Sequence, residues 1–502
     1  MELIKLPEPE LMFRYEQKLE DPRDGLTLFG PLDEGKPYGI RWGVVGTDEG
    51  IQRFSRWVEK IQGVISNKQP DIARPPFPGF EAVFRIPWGL KPAIEKQVLQ
   101  EEIKANCFLD DKYQRVYKTV GLFSKKIKQA LKEEDVAPDI WFIIIPDYVY
   151  KYCRPESTVE PELRIQPEYK MSVDYARSLK ETKSLFKEDN IAAIPYDYEV
   201  HFHNQIKARL LEDKVTTQII RESTIAYDEF LNKFGRPIRK LEMLQSAIAW
   251  NISSTVFYKA GGRPWKIGTI REGVCYIGLA FKRELRRMNE RAACCAAQMF
   301  LDSGDGVVFK GAVGPWYHPK RGTFHLKGKD ARELVELALR SYESMKGKSP
   351  SELFLHGKVF FNDEEWEGFQ AAVRPSTKLV GVRIRDAWNI KLYRKGRYPI
   401  LRGLAFLQDE KYAFLWTKGF VPRLQTCTGL EVPRPLEITI CRGEANLEKV
   451  LNDIMSLTKL NYNACIFGDG QPVTLKFADA VGEILTAGPI GEVPPLPFKF
   501  YI

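Results

Sequence analysis

Residues 139–152 read DIWFIIIPDYVYKY, a β-branched and aromatic run that predicts a buried strand. Just before it, GLFSKKIKQALKEED at 121–135 has the spacing of an amphipathic helix. A helix feeding a buried strand is the grammar of an α/β fold, with strands inside and helices covering them. At 502 residues the chain exceeds what one hydrophobic core can organise, so two domains, or three, are expected. Its 44% apolar residues suffice to build such cores, which excludes a disordered or fibrous chain.

The order of elements refines this. The first hundred residues are dense in Pro and Gly, as in RPPFPGFEAVF (74–84) and IPWGLKP (86–92), and predict a small α+β segment of short strands, loops and helices. The polar stretch 157–200 predicts an insertion or mobile loop. A helix over 201–214, a strand over 215–220 and a long helix over 239–262 follow, the last stopped by Gly261 and Gly262. From Val274 the pattern changes to a strand at 274–283 and a strand pair within 298–311 around Gly304–Gly306. Next come a helix at 329–346, strands at 352–361, 378–384, 391–393 and 412–417, and a helix at 446–459. Antiparallel strands first, then strand–helix alternation, is the order of an RNase H-like mixed sheet. The expected blocks are 1–265 and 266–502.

Several classes are excluded. No run approaches 18 uninterrupted apolar residues, so no transmembrane span is expected. The opening MELIKLPEPELMF carries carboxylates where a signal peptide needs a basic and then an apolar run, so a cytoplasmic location is expected. Eight cysteines without a CxxC and five scattered histidines lack zinc or iron–sulfur spacing. The GKS at 347–349 lacks the earlier glycine of a phosphate loop, since Tyr342 holds that place, and no hydrolase signature occurs.

Charge is unevenly spread. Residues 1–200 hold 30 Lys and Arg against 34 Asp and Glu, whereas residues 201–502 hold 45 against 32. A basic rear on a mildly acidic front points to a polyanionic partner for the rear. His203 and Lys207 are four apart on a predicted helix, Gln218 lies in the next strand and Lys259 in the last turn of the long helix. An ammonium for charge, an amide for orientation and an imidazole for stacking would suit a phosphate and its base. Spacing alone does not separate such a site from ordinary surface residues.

HNQIKARLL, TQIIRES and FYKAGGRPW resemble the guide-anchoring motif in the MID domain of Argonaute proteins. YIGLAFKR and the closing LTKLNYNACIFGDGQPVTLKFADAVGEIL resemble their PIWI domain. RDGLTLFGPL, FPGFEAVF, YKYCRP and ACCAAQMFLDSGDG are similar to the short prokaryotic Argonautes, particularly those partnered with TIR proteins. The resemblance implies a Rossmann-like MID domain in 1–265 and an RNase H-like PIWI domain in 266–502. It implies that His203, Lys207, Gln218 and Lys259 bind the 5′ end of a guide RNA, with Asn463 on the guide backbone. Gln218 and the Ile502 α-carboxylate would hold Mg2+ against guide phosphates.

The same resemblance sets an expectation about catalysis. Slicing Argonautes hold two divalent ions with carboxylates of the RNase H-like sheet. Here Ala280 stands where the first acid is expected and Lys358 where the second is, leaving Asp479 as a lone candidate. The chain is therefore expected to bind and not cut. As the sensor of a bacterial defence complex, it would recognise single-stranded DNA of plasmids or phage and activate a TIR-APAZ NADase. The alternatives are an active nuclease using acids such as Asp302 or Asp305, or the same sensor with a sirtuin-type or nuclease APAZ partner.

Overall fold

The computed structural model describes residues 1–69, 71–269, 271–283, 292–301, 306–315, 317–318, 323–427, 431–489 and 496–502. Two sheets organise them. The first has four parallel strands in the spatial order Ile94–Gln97, Trp42–Gly46, Ile140–Ile145, Thr217–Arg221. In chain order this is 2-1-3-4, a doubly wound arrangement. Trp42–Gly46 and Ile140–Ile145 are buried along their whole lengths, which is why both read as unbroken apolar runs.

Local chemistry sets where these elements begin and end. The helix expected from 121 starts earlier and spans Lys112–Glu133, because the Asp111 side chain accepts from the backbone N–H groups of Tyr113 and Gln114. The apolar run 139–152 is a strand only to Ile145. Pro146 has no N–H to donate to a ladder, and it occupies the N-cap of the helix Asp147–Tyr152. Nor is 157–200 a loop. It forms the helices Val173–Glu181 and Lys187–Ala193 and a 3-10 turn at Ile194–Asp197, packed through Ala176, Leu179, Ala193 and Tyr196. The long helix starts at Gln245 and not near 239, since Arg239 instead reaches the hydroxyls of Ser223 and Thr224.

The second sheet has ten strands. Gly306–Pro315, Ala292–Leu301 and Val274–Arg283 are antiparallel neighbours. Glu352–Gly357 lies parallel to Val274–Arg283, and Lys378–Asp386 lies parallel to Glu352–Gly357. The spatial order 3-2-1-4-5 is that of the RNase H-like mixed sheet. Leu436–Arg442, Tyr412–Trp416 and Leu404–Leu407 extend it in antiparallel fashion. No strand forms at 391–393. Among the described residues, the edge strands are Leu496–Pro497, paired with Gly306–Pro315, and Glu2–Lys5, paired with Leu404–Leu407, so the front of the chain completes the sheet of the rear block.

One core joins both sheets, running from Leu11 and Trp42 through Trp265 to Ile502. The helix Val473–Leu485 lies against the first RNase H-like strand so closely that a Cβ at Gly278 would stand 1.9 Å from the Thr474 carbonyl oxygen. Only glycine fits there. Among the described residues no helix is long and apolar enough to cross a membrane.

Candidate nucleic-acid interface

The helix Phe202–Leu210 packs on Lys112–Glu133 and on Val473–Leu485, so it is buried almost all round. Lys207 therefore points inward and is only 3% exposed, although it stands one turn from His203. Lys259, in the last turn of Gln245–Lys259, is 2% exposed. Both ammonium groups converge on the Thr217 carbonyl, Lys259 at 2.9 Å and Lys207 at 3.4 Å. Lys259 also donates to Gln218 Oε1 at 2.7 Å, and Lys207 to the main-chain oxygen of Ile502 at 2.5 Å.

Among the described residues, neither lysine meets a side-chain carboxylate. Lys259 meets only the neutral oxygens of Thr217 and Gln218, and a buried ammonium held in that way retains much of its desolvation penalty. Burial accordingly pushes the Lys207 pKa down to about 7. Burial, reinforced by the Lys207 charge, holds Lys259 well below the usual lysine value. Two such groups form a site poised for an anion.

Beside them opens a cavity of ≈ 510 Å³ lined by His201, His203, Arg154, Gln218, Arg221 and Glu483, among others. It sits past the carboxyl end of Ile140–Ile145, where open parallel sheets place ligands. His203 turns an exposed edge to this cavity, and its Nδ1 lies 3.0 Å from Asn204 Oδ1. Close packing around the ring and the adjacent Lys207 push its pKa below the ordinary imidazole value. A neutral ring suits stacking.

The structure thus brings together His203, Lys207, Gln218, Lys259 and Ile502. Asn463 is set apart. It is exposed, and its backbone N–H donates to Asn461 Oδ1 at 3.0 Å. Its neighbour Tyr462 packs on Tyr258, with ring centroids 4.5 Å apart, which keeps Asn463 next to the lysine-bearing helix but outside the cavity lining.

Sequence reasoning assigned no role to Tyr150, Arg154 or Arg221. The guanidiniums of Arg154 and Arg221 lie 3.7 and 3.9 Å from the Tyr150 ring centroid, giving the cavity a cationic, aromatic wall. YKYCRP and TQIIRES contain these residues, but no spacing rule links positions 67 and 71 residues apart.

The positions expected to carry catalytic acids also meet. The ladder pairs His356 with Gly278; Ala280 lies two residues further along its strand and Lys358 just past the end of Glu352–Gly357. Lys358 forms an ion pair with Asp479. In the cleft beside it, Asp386 accepts from Gln471 at 3.1 Å, and Glu437 pairs with Arg383 at 2.5 Å and Arg385 at 2.7 Å. Among the described residues no three Asp, Glu, His or Cys side chains are grouped to hold a metal. Asp302 and Asp305 lie outside the described residues.

Comparison with solved structures bears on the fold. The chain superposes on Clostridium butyricum Argonaute bound to a guide DNA and a 19-mer target DNA with a TM-score of 0.64 at 17% identity, covering 100% of this chain and 55% of that one. The fold is that of the MID and PIWI domains of Argonautes. Drosophila Piwi gives a TM-score of 0.58 at 13% identity over 100% and 56% of the two chains. For A. aeolicus Argonaute the values are 0.54 and 13%, over 98% and 54%. The chain thus spans little more than half the length of these proteins. By sequence, no family model matches it and no curated protein does. The parallel sheet corresponds to a MID-like unit and the mixed sheet to a PIWI-like unit, with the lysine pair between helices of the first and the last residues of the second.

Proposed function

We propose that this protein binds the 5′-phosphorylated end of a guide RNA and uses the guide to recognise complementary single-stranded DNA. The observation that carries this reading is the buried pair Lys207 and Lys259, which share the Thr217 carbonyl and lack a side-chain carboxylate partner among the described residues. A phosphate would supply the missing negative charge at the point where burial makes it most effective. His203 would stack on the first base, and the basic surface would track the backbone while pairing supplies the sequence. The solved Clostridium butyricum protein holds a guide and a target, both DNA, which agrees with the role and leaves the guide chemistry to experiment.

Gln218 Oε1 and the Ile502 oxygen are ligands of the kind Mg2+ takes, but each already accepts from a lysine, at 2.7 and 2.5 Å, so an ion there would have to displace Lys259 and Lys207 and draw its other oxygens from phosphate and water. Bound there, the ion would neutralise further phosphate charge. Ala280, and Lys358 paired with Asp479, support a recognition subunit without nuclease chemistry. An associated effector would then act in trans, and the front motifs favour a TIR-APAZ NADase.

Anisotropy titrations with 5′-phosphorylated and 5′-hydroxyl guides test the core of the reading. A phosphate preference of about tenfold or more, abolished in Lys259→Ala, is expected for a charge-assisted site. Equal binding of the two guides by the wild type would overturn it. RNA and DNA versions of the same guide identify the preferred chemistry.

A further inference from the structure

A second feature follows the interior PIWI-like strand Lys378–Asp386. No acidic residue occurs from 387 to 408, while Lys391, Arg394, Lys395 and Arg397 fall within seven positions. All four are exposed, and among the described residues none meets a carboxylate. Two large aromatic side chains share this segment, Trp388 at 72% exposed and Tyr393 at 71%. Arg434 sits 4.0 Å from the centroid of the Trp388 ring.

The segment is anchored. Ile390 and Leu392 pack on a small core of Ala387, Ile400, Phe414 and Trp416, so the residues between and after them, Lys391 and Tyr393, face outward. This alternation is what suggested a strand at 391–393, although no ladder forms. Trp388 and Asn389 also line a cleft of ≈ 570 Å³ together with Lys358, Arg385 and Gln471. The carboxylates in that cleft are already partnered, Asp386 by Gln471 and Glu437 by Arg383 and Arg385.

We propose that Trp388, Tyr393 and the cations between and beyond them form a stacking platform for the unpaired bases of single-stranded DNA. The proposal rests on the nucleic-acid reading above and adds a site to it. Exposed aromatic faces interleaved with unneutralised cations match a single strand, whose bases offer free π-faces and whose backbone offers regular charge. A duplex hides those faces. The lack of acids from 387 to 408 disfavours a basic protein partner. The platform would hold unpaired target beside the position where an RNase H-like enzyme would cut.

The test uses the full chain and an oligothymidine carrying one 2-aminopurine, either alone or annealed to its complement. Binding of the single strand is expected to quench the probe. Trp388→Ala should weaken binding about tenfold, as loss of one stacked base does, and Trp388→Phe should restore most of it. Charge reversal of Lys391 and Arg394 should lower the salt dependence. Lys259→Ala should leave this binding intact while losing 5′-phosphate preference, so the two sites fail separately. Wild-type affinity and quenching in both Trp388→Ala and the charge-reversed variant would overturn the platform, as would preference for the annealed probe or no binding of either probe.

Discussion

Lys207 Nζ lies 2.5 Å from the main-chain oxygen of Ile502, 295 positions further along the chain. The contact exists because the segment around Phe498 docks in the core, with its ring 4.6 Å from Phe477 on the helix that packs against Lys207's own helix. The proposed anion site therefore draws on both units. Two ammonium groups held out of water oppose folding until an anion arrives.

That cost is measurable without any guide. Lys259→Met removes a buried ammonium and keeps the stem's volume, so the guide-free variant should be more stable by about 1–2 kcal/mol in urea denaturation. It should also lose 5′-phosphate preference. A variant less stable than the wild type would show that the Gln218 and Thr217 contacts already compensate the charge.

Much of the fold was legible, and the reason is local. Ile140–Ile145 and Val274–Arg283 announce themselves by unbroken apolar composition, and the helix Gly328–Lys346 by its period. What sequence missed depends on distant partners. The residues 173–197 read as polar, yet Ala176, Leu179, Ala193 and Tyr196, with Tyr113 stacked on Tyr196, form a small core beneath them. Lys207 reads as a surface cation because nothing near it in sequence reveals that Ile502 and the helix Val473–Leu485 will close over it. Resemblance to a family pointed to residues of which the fold brings His203, Lys207, Gln218, Lys259 and Ile502 near one another and leaves Asn463 apart.

Lys358 and Asp479 should behave as an ordinary, half-exposed ion pair. Lys358→Ala is expected to cost about 0–1 kcal/mol of stability and to leave guide binding unchanged by anisotropy. The wild type should leave a guide-matched, labelled DNA intact in Mg2+ or Mn2+ on a denaturing gel. Guide-dependent cleavage would restore the nuclease reading and direct attention to Asp302 and Asp305.

Gly278→Ala tests the close approach of the PIWI-like strand and its helix. The new methyl would overlap the Thr474 carbonyl, 1.9 Å from where the Cβ must stand. Strand or helix must shift, and overpacking of this kind costs about 1–3 kcal/mol. Because the displaced helix Val473–Leu485 also contacts the helix bearing Lys207, guide affinity should fall together with the urea midpoint. A loss of stability with unchanged affinity would uncouple the two units.

The lysine pair also predicts opposite pH responses for the free and guide-bound protein. In the free protein Lys207 titrates at about 7, whereas an unfolded lysine holds its proton to about 10.4. Between those values the unfolded chain binds the extra proton, so unfolding free energy rises with pH, by about 1.4 kcal/mol per unit for one group. Below pH 7 both states are protonated and the full burial penalty remains. A bound phosphate favours the charged form and raises the Lys207 pKa, so binding above pH 7 must take up a proton. Guide affinity should therefore fall as pH rises from 7 to 9, by up to about tenfold per unit. Titrations over that range, with calorimetry in buffers of different ionisation enthalpy to count the proton, check both halves. Affinity flat from 7 to 9, with no proton uptake, would mean that Lys207 is already charged in the free protein.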